Sequence, residues 1–421
     1  MEIKLKKFLL ERIVYYKLFK KRNGETLDYC FQEFKRNANK AIDIIPFYRN
    51  YPKINSVGDF KHLPFIDKEI VNQNQKKILN SNAGCIFNDW VSTGGTSGKP
   101  LSLLMPKKRF IQEYSAMYSI WNKTNWDFDR RAVIRNNKIS NGYKYKCFDN
   151  AFIFDGFNSD VEYFEYIYTI LRNKNIQYIH AYPSIAYEIS KFFKKQKKDV
   201  SFIKAFLSGS ENIYDYQVDL IEKDLGIRFF NWYGHSEKLI LAGYCEHTRD
   251  YHIEPYYGYF ELIDIDGKVI DKPGEIGEIV GSSIHNAAMP LLRYRTGDFA
   301  EFVGDRCDKC GRKVPIIRNI KGRWNGEKIF NVDKSYVTTT ALNLHSDLYR
   351  VIEGIQFIQE KYGVLDVLII PSEGLNERNE MLLKEHFQSK FNLDFKINLL
   401  KVNHLKKNKN GKFLQLISSL I

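Results

Sequence analysis

Between residues 176 and 234 the apolar pattern switches period repeatedly. "NIQYIHAYP" reads as a strand ending in a turn, and "SIAYEISKFFKKQ" places apolar residues at helical spacing. "IKAFLSGSE" returns to a strand, "YDYQVDLIEKDLG" to a helix closed by Gly226, and "IRFFNWYG" to a strand. Parallel strands need a crossover between them, and a helix is the usual one. This βαβαβ rhythm therefore predicts an α/β fold with a mostly parallel sheet flanked by helices.

On either side the texture differs. Residues 1–90 look mainly helical, broken by "IIPFYRNYP" and "HLPFIDKE". From Gly258, "GYFELIDIDG", "GEIGEIVGSS" and "FAEFVGD" are strand–turn–strand patterns. After Arg323 a small α+β tail follows, with strand patterns on both sides of the helical "NERNEMLLKEHFQSKF". At 421 residues the chain exceeds one ordinary domain. The expected division is a large domain over 1–321, with a β-rich subdomain at about 245–321, and a small mobile domain over 322–421.

Composition narrows the function classes. Lys plus Arg number 64 against 50 Asp plus Glu, a net charge of +14 that suits anionic partners. The excess is spread along the chain, and no basic run is interleaved with aromatics, so specific nucleic-acid binding is not expected. No uninterrupted apolar run reaches the length of a transmembrane helix. The start, "MEIKLKKFLLERIVYYKLFKKR", lacks a small-residue cleavage site and reads as an amphipathic helix packed on the body. Weak contact of that helix with a membrane surface is the alternative. Six cysteines in this length do not make a disulfide scaffold, and with no export signal a reducing, cytoplasmic setting is expected.

The polar motifs fall at the ends of these elements. "VSTGGTSGKP" (Val91–Pro100) has the glycines, hydroxyls and lysine of a phosphate loop. A nucleotide P-loop, however, needs four residues between its glycines and a hydroxyl after its lysine. Here Gly94 and Gly98 are separated by three residues, Pro100 follows Lys99, and "LSLLMP" reads as a strand. Three more clusters lie at predicted strand ends, where open α/β sheets bind ligands. They are Ser208-Gly209-Ser210-Glu211, Tyr233-Gly234-His235-Ser236-Glu237 and Tyr294-Arg295-Thr296-Gly297-Asp298.

These four clusters, in this order, resemble the adenylate-forming superfamily. "STGGTSGKPL", "WYGHSE", "PLLRYRTGD", the following C-x2-C-G and "IKGR" look like its phenylacetate–CoA ligase and CapK (capsular polysaccharide) branch. The resemblance runs from about residue 40 to the end. It implies a magnesium-dependent reaction of ATP with a small carboxylic acid, giving an acyl-adenylate and pyrophosphate. The large domain is then the adenylation domain. Ser92, Thr93, Gly94, Gly95, Thr96, Ser97, Gly98 and Lys99 would clamp the β and γ phosphates, as a mobile loop leading into a strand. Glu237 would hold Mg2+, and Ser236 would offer its hydroxyl to the α-phosphate. Tyr233, Gly234, Ser210 and Glu211 would border adenine. Asp298 would accept from the ribose hydroxyls, with Arg323 reaching ribose or phosphate. Lys412 would be the catalytic lysine of the tail, with Lys409 and Lys407 as rivals. Asn325 and Gly326 stand where the family commonly has an acidic hinge residue. The acid pocket is expected near Trp121, Tyr182, Pro183, Trp232 and His235.

Cys307-x2-Cys310-Gly311 resembles a zinc knuckle, and a closed structural site needs two more ligands. "GYCEHTRDYHIEP" offers Cys245 and His252, with His247 as a spare. The acyl acceptor stays open in the sequence. Amide or ester formation on a sugar or amino acid, in surface-polysaccharide or specialised metabolism, is one reading, and a thioester with coenzyme A is the other. A non-catalytic basic binding protein is the rival of another class, and a dimer is the expected assembly.

Overall fold

The computed structural model describes residues 2–14, 25–84, 86–92, 101–135, 137–158, 160–211, 215–321, 328–342, 348, 351–406 and 416–420. Helices α1 (Glu2–Val14) and α2 (Glu25–Ile44) open the chain, followed by the short helices α3 (Val57–Lys61), α4 (Lys68–Gln73) and α5 (Gln75–Ile78). Strands β1 (Asn88–Ser92) and β2 (Ser102–Pro106) pair antiparallel, with Ser92 opposite Ser102. The glycine-rich segment 93–100 therefore joins two paired strands. A strand, not a phosphate-capping helix, follows it, as "LSLLMP" suggested.

The βαβ rhythm appears in the order expected. After α6 (Arg109–Asn122) come β3 (Arg131–Ile134), β4 (Lys144–Lys146), β5 (Ala151–Phe154), α7 (Val161–Asn173), β6 (Tyr178–Ala181) and α8 (Pro183–Lys195). Next are β7 (Ala205–Gly209), α9 (Asp215–Asp219) and β8 (Arg228–Gly234). Helix α8 starts with Pro183 in its first turn, where a missing N–H costs nothing. It buries Ala186, Ile189, Phe192 and Phe193, which share one helical face. Every residue of β7 is buried, as befits a central strand covered on both faces. Truncating Phe206 or Phe229, both fully buried in this layer, should cost about 3–5 kcal/mol.

The antiparallel strands β9 (Leu241–Tyr244), β10 (Tyr251–Ile253), β11 (Gly258–Ile263), β12 (Ile276–Ser283), β13 (Tyr294–Gly304) and β14 (Ile316–Lys321) continue the same hydrogen-bonded sheet. Its order is β11-β12-β13-β14-β10-β9-β8-β7-β6-β3-β5-β4. Among the described strands of this sheet, parallel pairing is confined to the block β8-β7-β6-β3-β5.

The tail carries β15 (Lys328–Phe330), β16 (Tyr336–Thr338), β17 (Ile352–Lys361), β18 (Val364–Pro371), α10 (Glu377–Gln388), β19 (Lys396–Lys401) and β20 (Leu416–Ser418). Its four-stranded sheet runs β19-β18-β17-β20. Ile329, Phe357, Leu383, Phe387, Phe391 and Phe395 form a core of their own there, separate from the large core that spans the parallel sheet. Among the described residues, polar contacts tie the tail to the larger part. Thr338 Oγ1 donates to Glu211 Oε1 at 3.1 Å, and Lys138 Nζ donates to the Phe391 carbonyl at 3.4 Å. Among the described residues, no helix is long and apolar enough to cross a membrane.

Candidate active site

Strand β8 ends at Gly234, and the chain then turns sharply, with Lys238 N–H donating to the His235 carbonyl at 3.0 Å. Ser236 and Glu237 occupy the middle of this turn. Glu237 is held from two sides. His235 Nδ1 lies 3.0 Å from its Oε2, and the Tyr294 hydroxyl donates to its Oε1 at 3.1 Å. The Ile240 N–H points at His235 Nε2 at 3.2 Å, which makes Nε2 an acceptor and leaves the proton on Nδ1, facing the carboxylate. Burial opposes ionisation of Glu237. The bonds from His235 and Tyr294 outweigh it and hold the carboxyl at about 2.

Strand β13 supplies the facing half. The Tyr233 hydroxyl donates to Asp298 Oδ2 at 2.8 Å. Burial and the neighbouring Asp298 charge push the Tyr233 phenol well above its ordinary range, so it remains a donor. Asp298 is set by a local turn. Gly297 adopts φ 74°, which favours glycine. Its N–H donates to Glu278 Oε1 at 2.8 Å, and Arg295 binds Glu278 Oε2 from the side at 2.8 Å. In the sheet, β8 and β13 are separated by β9, β10 and β14. A flat sheet would put them about 19 Å apart at ~4.8 Å per strand. Tyr233–Asp298 and Glu237–Tyr294 contact therefore requires the antiparallel half to curl over the carboxyl end of β8.

Sequence reasoning missed several of these supports. Tyr294 was named within its cluster but not as a support for Glu237, and Glu278 escaped because its partner lies on another strand. So did Arg293, which is 2% exposed and binds both Glu261 oxygens at 3.0 Å. It also donates to the Lys61 and Leu63 carbonyls at 2.6 and 2.7 Å, pinning the amino-terminal segment under the site. Arg135, just past β3, was missed as well. It contacts His180 Nε2 at 2.8 Å and Ser210 Oγ at 3.1 Å, and stacks 4.3 Å from the Tyr182 ring centroid.

The expected pocket residues are placed as follows. Tyr182 precedes α8 and is covered by Arg135. Trp232 lies on Gly209, where an added Cβ would come within 2.6 Å of the indole. Trp121 is 4% exposed and packs edge-on against Trp126 and His180, so it serves the core. Ser210 has φ 71° at the end of β7, and Glu211 follows it. Residue 92 ends β1. Residues 93–99, Arg323, Asn325, Gly326, Lys407, Lys409 and Lys412 lie outside the described residues.

A second cluster is closed. Cys245, His252, Cys307 and Cys310 bring their ligand atoms within 4.8 Å of one another. Cys245 Sγ lies 3.8 Å from Cys307 Sγ, and Cys310 Sγ lies 3.9 Å from His252 Nδ1. His252 is fully buried, and its Nε2 meets no hydrogen-bond partner among the described residues. Burial, with Lys123 and Arg312 nearby, lowers this imidazole to about 3 and keeps it neutral, as a ligand must be. His247 is not among the four, though its backbone N–H points at Cys245 Sγ at 3.4 Å. A knuckle turn, closed by the Gly311 N–H on the Cys307 carbonyl at 2.8 Å, presents Cys307 and Cys310.

Comparisons with known proteins bear on the fold and its relatives. The family described as the CapK C-terminal domain matches residues 329–419. The chain is 23% identical to Protein CapK of Staphylococcus aureus over 381 residues, 86% of this chain and 81% of that protein. The chain is homologous to CapK and to phenylacetate–CoA ligases, and its tail matches the CapK C-terminal family. A phenylacetate-coenzyme A ligase of Thermus thermophilus is 28% identical to this chain over 190 residues, 44% of this chain and 42% of that enzyme. The fold matches a 2-hydroxyisobutyryl-CoA ligase solved in complex with 2-HIB-AMP and CoA. The TM-score is 0.60 at 15% identity, covering 94% of this chain and 90% of that one. Another structure of that ligase, in an open conformation, gives 0.58 at 16% identity, covering 94% and 92%.

Proposed function

We propose that the chain is an AMP-forming ligase that activates a carboxylic acid with ATP. One acid oxygen attacks the α-phosphorus, the bond to the bridging oxygen breaks, and pyrophosphate leaves with that electron pair. An acceptor nucleophile then attacks the acyl carbon, and AMP leaves. The observation that carries this reading is the pairing of Tyr233–Asp298 with His235–Glu237–Tyr294 across the curled sheet. It presents two fixed carboxylates to one space at the carboxyl end of β8.

The roles follow from charge. Two anions must meet in line, so the site has to position them and offset their repulsion. Ionised Asp298 accepts from both ribose hydroxyls, held in place by Tyr233. Tyr233, Gly234, Ser210 and Glu211 border adenine. Glu237 is the ligand for Mg2+, which would neutralise phosphate charge and polarise the α-phosphorus. Ser236 is at hand for the α-phosphate. Residues 92–99 hold the outer phosphates, Arg323 reaches ribose or phosphate, and Lys412 offsets the approach of carboxylate to phosphate. His235 uses both ring nitrogens within the protein, so it positions Glu237 and meets substrate only through its ring face. Tyr182 and Trp232 line the acid side. The buried Cys245–His252–Cys307–Cys310 set suits a structural Zn2+, which would tie the segment after β9 to the turn before β14.

The acceptor we favour is an amino or hydroxyl group of a sugar or amino acid, in cytoplasmic precursor chemistry for a surface polysaccharide. Its support is the CapK similarity over 381 residues and the CapK-type tail at 329–419. Transfer to coenzyme A is the second reading, favoured by the 28% identity to a phenylacetate-coenzyme A ligase. ATP–pyrophosphate exchange with a pool of acids tests adenylation. Acid-dependent exchange is expected, and none with any acid would remove the reading. Mass spectrometry of products, with and without coenzyme A and amino sugars, separates the two acceptors.

A further inference from the structure

The adenylation reading leaves one charged group without a task. Arg135 lies just beyond β3, and its guanidinium reaches across to His180 of β6 and to Ser210 beyond β7. Taking a guanidinium even partly out of water is costly unless counter-charge or hydrogen bonds replace the water. Here the partners are neutral. Arginine has no acceptor, so His180 Nε2 must accept and the imidazole must be uncharged. Burial and the Arg135 charge itself push His180 well below its ordinary value, in agreement. Ser210 offers a hydroxyl, and Tyr182 a ring face. The nearby Asp155 carboxylate is committed to the Ile139 and Phe157 N–H groups at 3.1 and 2.8 Å.

Arg135 Nε and Trp232 Nε1 are among the donors buried here without a partner among the described residues, as is Trp121 Nε1, whose ring packs on His180. Trp232 lies against Gly209, the residue before Ser210. The four positions sit at or near the carboxyl ends of β3, β6, β7 and β8, which are consecutive in the sheet. Ligands of such sheets bind at these ends. The guanidinium at Ser210 is one strand, about 5 Å, from β8, whose following turn carries Ser236 and Glu237. The backbone around Arg135 is fixed. Its carbonyl accepts from Asn137 N–H at 2.7 Å, and Gly156 packs so closely that a Cβ there would lie 1.4 Å from that oxygen. A rigid cation with spare donors, one strand from the proposed reaction centre, is built to meet an anion.

We propose that Arg135 determines acid specificity, and that the acid activated here carries a second carboxylate, which Arg135 binds while the first is adenylated. This rests on the adenylation reading. The test is exchange with matched pairs: butyrate and succinate, valerate and glutarate, hexanoate and adipate. The dicarboxylate of at least one pair is expected to be favoured about 10- to 100-fold in kcat/KM, the range of a charged hydrogen bond. Arg135→Met should erase that ratio through KM, and Arg135→Lys should restore part of it. Circular dichroism checks folding; if Arg135→Met does not fold, Arg135→Lys and Ser210→Ala read the ratio instead. A wild-type preference for monocarboxylates, or an equal loss for both members of each pair, would overturn the proposal. The second result would mean that Arg135 serves the reacting carboxylate or the phosphate. Calorimetric binding of glutarate and valerate to wild type and Arg135→Met separates the two readings. Arg135-dependent glutarate binding without exchange sinks adenylation alone. Exchange confined to apolar acids, with no glutarate binding, sinks this proposal alone.

Discussion

The Tyr233 hydroxyl donates to Asp298 Oδ2 at 2.8 Å, although the two residues sit on strands that three others separate. The bond orients a carboxylate that is itself 9% exposed. Tyr233→Phe keeps the ring and removes only the donor. It should raise the KM for ATP about 10-fold, on the order of 1.4 kcal/mol, with kcat little changed. Initial-rate exchange at varied ATP measures this, and an unchanged KM would separate Asp298 from nucleotide binding.

Glu237 gives a pH prediction. Its carboxyl is lowered from 4.5 to about 2, burial being outweighed by His235 and Tyr294. A depressed folded value adds stability above the unfolded pKa, and that stability drains away as pH falls through the folded one. Glu237→Gln should therefore be less stable than wild type at pH 6–7, by at most roughly 3 kcal/mol. The gap should close between about pH 4.5 and 2. Urea titrations across that range read it, and a gap constant with pH would refute the assignment.

Arg293 should matter for folding more than for chemistry. Replacing it with Met strands buried Glu261 and two carbonyls that accept from the guanidinium. A loss of about 3–5 kcal/mol is expected. Adding Glu261→Leu to the same chain should recover part of it. The urea midpoint is the readout, and a single variant as stable as wild type would contradict the account.

Local signals were legible in the sequence. The period switches between 176 and 234 marked β6, β7 and β8 of the parallel block, and "LSLLMP" marked the strand after the glycine-rich segment, while β1, β3 and β5 were not read from the sequence. The Cys/His grouping was legible from residue chemistry, which left only His247 or His252 to be decided. What could not be read was the curl of the sheet. That curl brings Tyr294 to Glu237, 57 residues apart, while the direct pairing of β12 with β13 makes Glu278 a brace for Gly297, 19 residues away. Arg135 escaped because β3 and β6 are neighbours only in the folded sheet: nothing near it in sequence predicts His180, 45 residues away.

The cysteine–histidine cluster predicts about one zinc per purified chain by elemental analysis. Cys307→Ser and Cys310→Ser should each lose the metal and lower the Tm. A closed four-ligand site has no open position for substrate, so exchange below the melting range should change less than about twofold. Metal-free protein with an unaltered Tm would show that the four side chains pack without an ion.

Lys412 tests the electrostatic core of the proposed function. In the proposed site its charge would count only while the acid carboxylate approaches the α-phosphate, because ATP alone would already be held by residues 92–99, Asp298 and magnesium. Lys412→Ala should slow single-turnover adenylate formation about 100- to 1000-fold, the scale of losing one preorganised charge at the reacting centre. The Kd for ATP should stay within about twofold. Transfer from a preformed acyl-adenylate, in which no second anion approaches the phosphate, should be nearly unaffected. Lys409→Ala and Lys407→Ala are the controls. If either of them carries the slow adenylation and Lys412→Ala does not, the catalytic role moves to that lysine. If all three retain full rate, repulsion between the two anions is being offset by a group elsewhere in the site.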